Sequence, residues 1–117
     1  MTTLSRRFRE HAAACDQMDA PLYGALMREM ADDWDAGGVV REICAGWENA
    51  SAADVVQLRL LGGLHRLVLT GEAPELQPYY RSSGGTRPPD DAWPIARAVM
   101  AAHAHRLRAD LAIVPQT

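Results

Sequence analysis

The side chains able to do chemistry in this sequence gather in one stretch: His65 and Arg66, then Tyr79 and Tyr80, then Gly84 and Gly85. Tyrosine pairs an apolar ring with a polar tip, and arginine carries a planar fork of donors, so together they suit contact with a ligand or partner surface. The plainer alternative is that Tyr79 and Tyr80 tuck a loop onto the core while His65 bonds a backbone carbonyl. A second set is His11, His65 and His103, one on the apolar side of each of three expected helices. Neutral imidazoles from separate helices of a bundle can converge on zinc or iron. Neither Glu-x-x-His nor His-x-x-x-His occurs, however, and His103 and His105, two apart, fall on nearly opposite helix faces. The three histidines therefore read first as part-buried, hydrogen-bonded side chains, with a small metal-binding bundle as an alternative.

Other catalytic sets are weaker. Cys15 and Cys44 are 29 positions apart in apolar helical settings, which favours inert thiols and matches neither a zinc ribbon nor a disulfide scaffold. No Gly-x-Ser-x-Gly elbow, P-loop or Gly-x-Gly-x-x-Gly is present, so the chain holds no complete catalytic motif and is not expected to be catalytic alone. Asp32, Asp33 and Asp35 read as a solvated helix face, because a calcium loop needs alternating oxygens and a turn glycine. His103, Arg106 and Asp110 follow one edge of the last expected helix, with Arg106 and Asp110 spaced for an i, i+4 ion pair.

The elements that position these residues are helical. A chain of 117 residues with 48% hydrophobic composition fits one domain, taken as residues 1–117, with a single core. Its basic set is 12 Arg with no Lys, set against 15 Asp and Glu, for a net charge of −3. Residues 16–54 hold nine of those acids and two Arg, an acidic middle that would repel phosphate, so no nucleic-acid partner is expected. The most apolar window, Val55 to Leu69, is broken by Arg59, His65 and Arg66, so no membrane span is expected. No basic start leads into an apolar run, and the expected location is cytoplasmic.

Leu4, Phe8, His11, Cys15 and Met18 form the stripe of a first helix. Asp19 is placed to cap a second, with Pro21 in its first turn and Leu22, Leu26, Met30 and Trp34, flanked by Tyr23 and Met27, along its apolar side. Gly37-Gly38 ends it, and a third helix is expected over Val39 to Trp47. Ser51 to Asp54 has the form of a capping box for a fourth helix over about residues 52–70. Its apolar arc is wide, reaching Leu58 and Leu69, with Arg59, Arg66 and Thr70 on the polar edge; such a helix belongs at the centre. Either arginine is expected to pair with the acids of the second helix. Gly62-Gly63 inside it implies close helix approach. Residues 71–91 form a long loop, firm at Pro74 and Pro78 and loosened into a mobile flap by Ser82-Ser83 and Gly84-Gly85. One last helix, capped by Asp90 or Asp91 and stopped by Pro115, carries Trp93, Ile95, Val99, Met100, Leu107 and Leu111. The expected fold is all-α, a compact bundle of five or six helices around the helix at 52–70.

Several segments resemble a family of uncharacterised bacterial proteins known only as a domain of unknown function. They are Phe8-Arg9 with Cys15, Pro21-Leu22-Tyr23, the run Leu58 to Leu69, Ala73-Pro74, Tyr79-Tyr80, Gly84-Gly85, Ala92-Trp93-Pro94 and Pro115-Gln116-Thr117. Arg81 stands where the family pattern has Pro. Longer members of that family continue into a half that resembles S-adenosylmethionine-dependent methyltransferases, and this chain resembles their N-terminal helical domain. The resemblance implies an accessory domain that covers that C-terminal half or selects its substrate. The cofactor, S-adenosylmethionine, then belongs to the longer relatives, and none is expected in this chain. The rival reading is a stand-alone, self-associating module, a homodimer in which Trp34, Trp47, Trp93 and five Met leave an exposed apolar patch.

Overall fold

The structure is a computed structural model and describes residues 3–51 and 55–112; Asp54 of the expected capping box and the expected stop at Pro115 lie outside them. The described residues are helical and include no strand: α1 (Thr3–Gln17), α2 (Pro21–Asp35), α3 (Val39–Ile43), α4 (Val56–Leu69), α5 (Ala92–Ala102) and α6 (Ala104–Leu111). Three short 3₁₀ segments, Pro74–Tyr79, Arg81–Ser83 and Pro89–Asp91, join α4 to α5. The all-α fold is the one that the helical periodicity requires.

α1 and α2 form an antiparallel hairpin. Leu4, Phe8 and Ala12 are buried on α1, facing Leu26, Met27, Met30 and Trp34 of α2. The expected α1 stripe runs too far, because Met18 is 79% exposed and His11 and Cys15 are only part-buried. Gly24 brings the two helices together: a Cβ there would meet the Asp16 carboxylate and, at 3.3 Å, the Ala12 carbonyl oxygen. The hairpin is stapled by Arg9, which donates to both Asp32 and Asp35 at 2.8 Å, and by Arg28, which pairs with Asp16. The acids of α2 are therefore more than a solvated face. Asp33 is largely enclosed, accepting from the Val40 backbone N–H at the start of α3 and from Arg97 of α5.

α3 is shorter than expected, ending at Ile43, where Arg108 of α6 donates to the Glu42 and Ile43 carbonyls that a helix end leaves free. α4 buries Val56, Leu60, Leu61, Leu64, Leu67 and Val68. Its apolar arc is narrower than the sequence wheel implies, since Leu58 and Leu69 are 45% and 59% exposed. It shares the centre of the core with α2, which gathers α1, α3 and α5 around it. The long last helix is two, broken at His103 (φ −116°, ψ 21°). The break lets α5 lie on α2 while α6 turns Leu107 and Leu111 toward α4. Close approach occurs at Gly63, where a Cβ would lie 2.9 Å from Leu107 Cδ2. Arg66 on the same helix pairs with Asp110, and Arg106 pairs with Glu72, so neither the expected Arg106–Asp110 pair nor an Arg66 contact to α2 is formed. Arg59 donates to the Leu111 carbonyl at the end of α6. Trp34 is fully buried and so takes no part in the exposed patch of the self-association reading, while Trp47 and Trp93 are partly buried against the core. No described helix is long and apolar enough to cross a membrane.

Candidate functional site

Proline and left-handed backbone, rather than helical period, shape the segment after α4. Gly71 (φ 80°) closes α4, and Pro74 starts a 3₁₀ turn that delivers Leu76 and Tyr79 inward. The chain reverses at Arg81–Ser83 and Gly84 (φ 79°), and Gly85 and Arg87 donate back to the Tyr80 and Pro78 carbonyls, both at 2.9 Å. Gly85 is required there, because a Cβ would fall onto the backbone of Gln77 and Pro78. The expected loose flap is thus a closed turn, tied at its base by backbone bonds.

This turn, the start of α2 and the end of α4 enclose a cleft of about 470 Å³. One wall is the run Asp19 to Tyr23, where Asp19 has left-handed backbone (φ 56°) and Pro21 opens α2. Asp19 does not cap the helix: the N-cap position is Ala20, which has no side-chain acceptor to offer. The other wall is Tyr79 to Ser82 with Gly85 to Pro89, and His65 projects from α4 between them. All three tyrosines of the chain reach this cleft from separate segments.

Their geometry is a linked set. Tyr80 stacks on His65 with ring centroids 4.9 Å apart, and Tyr23 meets both rings edge-on at 6.3 and 6.5 Å. The Tyr23 hydroxyl lies 3.0 Å from His65 Nδ1, and Ser82 Oγ lies 2.8 Å from Nε2. A neutral imidazole donates at one nitrogen and accepts at the other, so hydroxyl, imidazole and hydroxyl form one directional chain. Burial pushes the Tyr23 phenol up, and burial followed by the neighbouring Tyr23 raises Tyr80 further. The Tyr80 hydroxyl is enclosed and has no hydrogen-bond partner among the described residues. Tyr79 is anchored instead: its hydroxyl donates to Asp91 at 2.8 Å, and Arg87 lies 5.2 Å over its ring while also pairing with Asp91. Burial, then the Asp91 bond, raises the Tyr79 phenol, and the same bond holds the Asp91 carboxyl low.

Of the six residues singled out in the sequence, His65, Tyr79, Tyr80 and Gly85 line this cleft. Arg66 is not among its lining residues and is engaged with Asp110; Gly84 makes the turn. Sequence reasoning missed Tyr23, Ser82 and Arg81 as members of the cleft. Tyr23 carried a signal, as an aromatic beside the helix-opening proline on the flank of its helix's apolar side. Ser82 carried none, since its partner His65 is 17 positions away.

The metal set does not assemble. His11 bonds Gln57 between α1 and α4, His65 is in the cleft, and His103 sits at the α5–α6 break. Among the described residues no three of His, Cys, Asp and Glu are placed to hold a metal ion. Cys44 is buried, which pushes its thiol up to about 12, and burial raises Cys15 as well, so burial disfavours the reactive thiolate at both. Gly84-Gly85 lies between 3₁₀ turns and follows no strand, so it lacks the strand–turn–helix setting of a glycine-rich nucleotide turn, and the described residues offer S-adenosylmethionine no such cradle.

Fold and site together define a helical domain with a preformed aromatic cleft. Residues 5–117 match the model of the family described as uncharacterised protein conserved in bacteria (DUF2332), and the chain belongs to that family. Neither the curated proteins nor the solved structures give a match.

Proposed function

We propose that the chain is a ligand-receiving helical domain of the cytoplasm, serving a methyltransferase-like half by covering it or selecting its substrate. The observation that carries this reading is the convergence of Tyr23, Tyr79, Tyr80 and His65 on one cleft. Aromatic rings with polar tips bring large contact area at little conformational cost, and the cleft volume falls in the range of small-molecule sites. The methyltransferase-like half comes from the sequence resemblance to longer relatives, and that half would hold S-adenosylmethionine.

Calorimetry of the 117-residue chain against a separately produced methyltransferase-like half of a longer relative tests the reading. Saturable binding is expected, weakened about tenfold or more by Arg81→Glu at the cleft mouth and unchanged by Leu58→Ser on exposed α4 surface. No binding, or equal loss from both variants, would remove the covering role.

A further inference from the structure

We propose that the cleft binds a zwitterion of the amino-acid class with an apolar or aromatic side chain. This rests on the ligand-receiving reading above and names the ligand's chemistry. Three polar features without partners among the described residues belong to residues of the lining.

The first is the start of α2. Pro21 has no N–H, Ala20 supplies no cap, and the first backbone donor to find an acceptor is Gly24, bonded to the Ala20 carbonyl at 3.1 Å. Among the described residues the N–H groups of Leu22 and Tyr23, two lining residues, find no partner, and they stand at the end of the helix that favours negative charge. The second is Arg81. Each of the other eleven arginines has a carboxylate, a carbonyl or an aromatic ring as partner, whereas the exposed Arg81 guanidinium has none among the described residues. The third is the exposed Asp19, whose carboxylate has no partner among the described residues and which is held in left-handed backbone at the same wall. Arg87, also in the lining, is already neutralised by Asp91.

Charge decides the class. A cation alone would meet the α2 terminus and Arg81 unfavourably, and a dianion would meet Asp19. A ligand with one charge of each sign satisfies both. In an α-amino acid the ammonium and carboxylate share one carbon, and Asp19 and the Leu22 and Tyr23 N–H groups lie within five consecutive residues. One stretch of chain thus meets both charges, with Arg81 as a second partner for the carboxylate. The rest of the cleft, Tyr23, Tyr80 and the prolines at 88 and 89, then surrounds an apolar side chain. The enclosed, unpartnered Tyr80 hydroxyl adds a polar group that the domain alone leaves unsatisfied.

The test uses the 117-residue chain and the twenty protein L-amino acids, first by thermal shift at about 10 mM and then by calorimetry. Phenylalanine, tyrosine, leucine and methionine are expected to stabilise the chain most. For L-phenylalanine, removing either charge, as in N-acetyl-L-phenylalanine or L-phenylalaninamide, is expected to weaken binding about tenfold or more. Arg81→Gln should weaken the amino acid while leaving the amide unchanged. Asp19→Asn, which tolerates left-handed backbone, should weaken the amino acid while leaving the N-acetyl compound unchanged. Absence of a shift with every amino acid, or equal affinity for the charged and blocked forms, overturns the proposal. If the methyltransferase-like half binds but no amino acid does, this inference fails and the covering role stands. If the amino acid binds and the half does not, the reverse holds.

Discussion

The α1–α2 hairpin and the segment from Pro74 to Asp91 both bury aromatic residues, but by opposite means. The hairpin repeats an apolar residue every three or four positions, so Phe8, Met30 and Trp34 are inside as a consequence of one period. The 74–91 segment has no period. It places Leu76, Tyr79 and Tyr80 by proline-pinned turns and backbone bonds between residues five to nine apart. Helix against helix closes the space between the elements, with Gly24 at the contact. Turn against helix does not, and the cleft is the space left over. Regular packing yields core here, and irregular packing yields a site.

The largest expected effect falls on α4, which both regions use. Leu64 is fully buried, and Leu64→Ala should cost about 2–5 kcal/mol in urea unfolding. A change within about 0.5 kcal/mol would mean that α4 is not shared core. Next comes a matched glycine pair. Gly85→Ala puts a methyl group on the backbone of Gln77 and Pro78 and should cost about 1–3 kcal/mol. Gly24→Ala in the hairpin meets chiefly the movable Asp16 carboxylate and should cost less. Equal costs would erase the distinction between rigid turn and adaptable hairpin.

Smaller again is Tyr80→Phe. Removing an enclosed hydroxyl without a partner should raise stability by about 1 kcal/mol. A loss of similar size would show that the hydroxyl is bonded. The smallest effect concerns acid. The bond from Arg9 holds the Asp35 carboxyl below its usual range, so the stabilisation is present above the unfolded value near pH 4 and lost as pH falls through the folded one. Arg9→Gln should therefore flatten the acid limb of the stability curve below about pH 4, with little change in its slope near neutrality. An unchanged acid limb would show that the hairpin is not stapled by charge.

These differences also explain what could be read from the sequence. The period places Leu26, Met30, Trp34, Leu60, Leu64 and Leu107 in the core because each helix reports its own buried side. Met18, Leu58 and Leu69 fall on apolar sides by period yet are exposed, because a wheel assigns sides without knowing where neighbouring elements stop. The break at His103 has no glycine or proline to mark it; it divides a helix that packs on α2 from one that packs on α4. Within the site, His65, Tyr79 and Tyr80 were recognisable by type. Their assembly with Tyr23 and Ser82 was not, because hydrogen bonds spanning 42 and 17 positions have no local signature.

The backbone bonds at the base of the 78–87 turn have a kinetic consequence. Arg87 N–H to the Pro78 carbonyl and Gly85 N–H to the Tyr80 carbonyl tie the two arms of the turn, while Ser83 and Gly84 bond back inside its tip. None of these four amides belongs to an α-helix, so all four lose protection in a single opening that leaves α1 to α6 intact. In amide hydrogen exchange they should share one rate, faster than the core of α4 and slower than an open loop. That shared rate measures how often the cleft loses one of its walls.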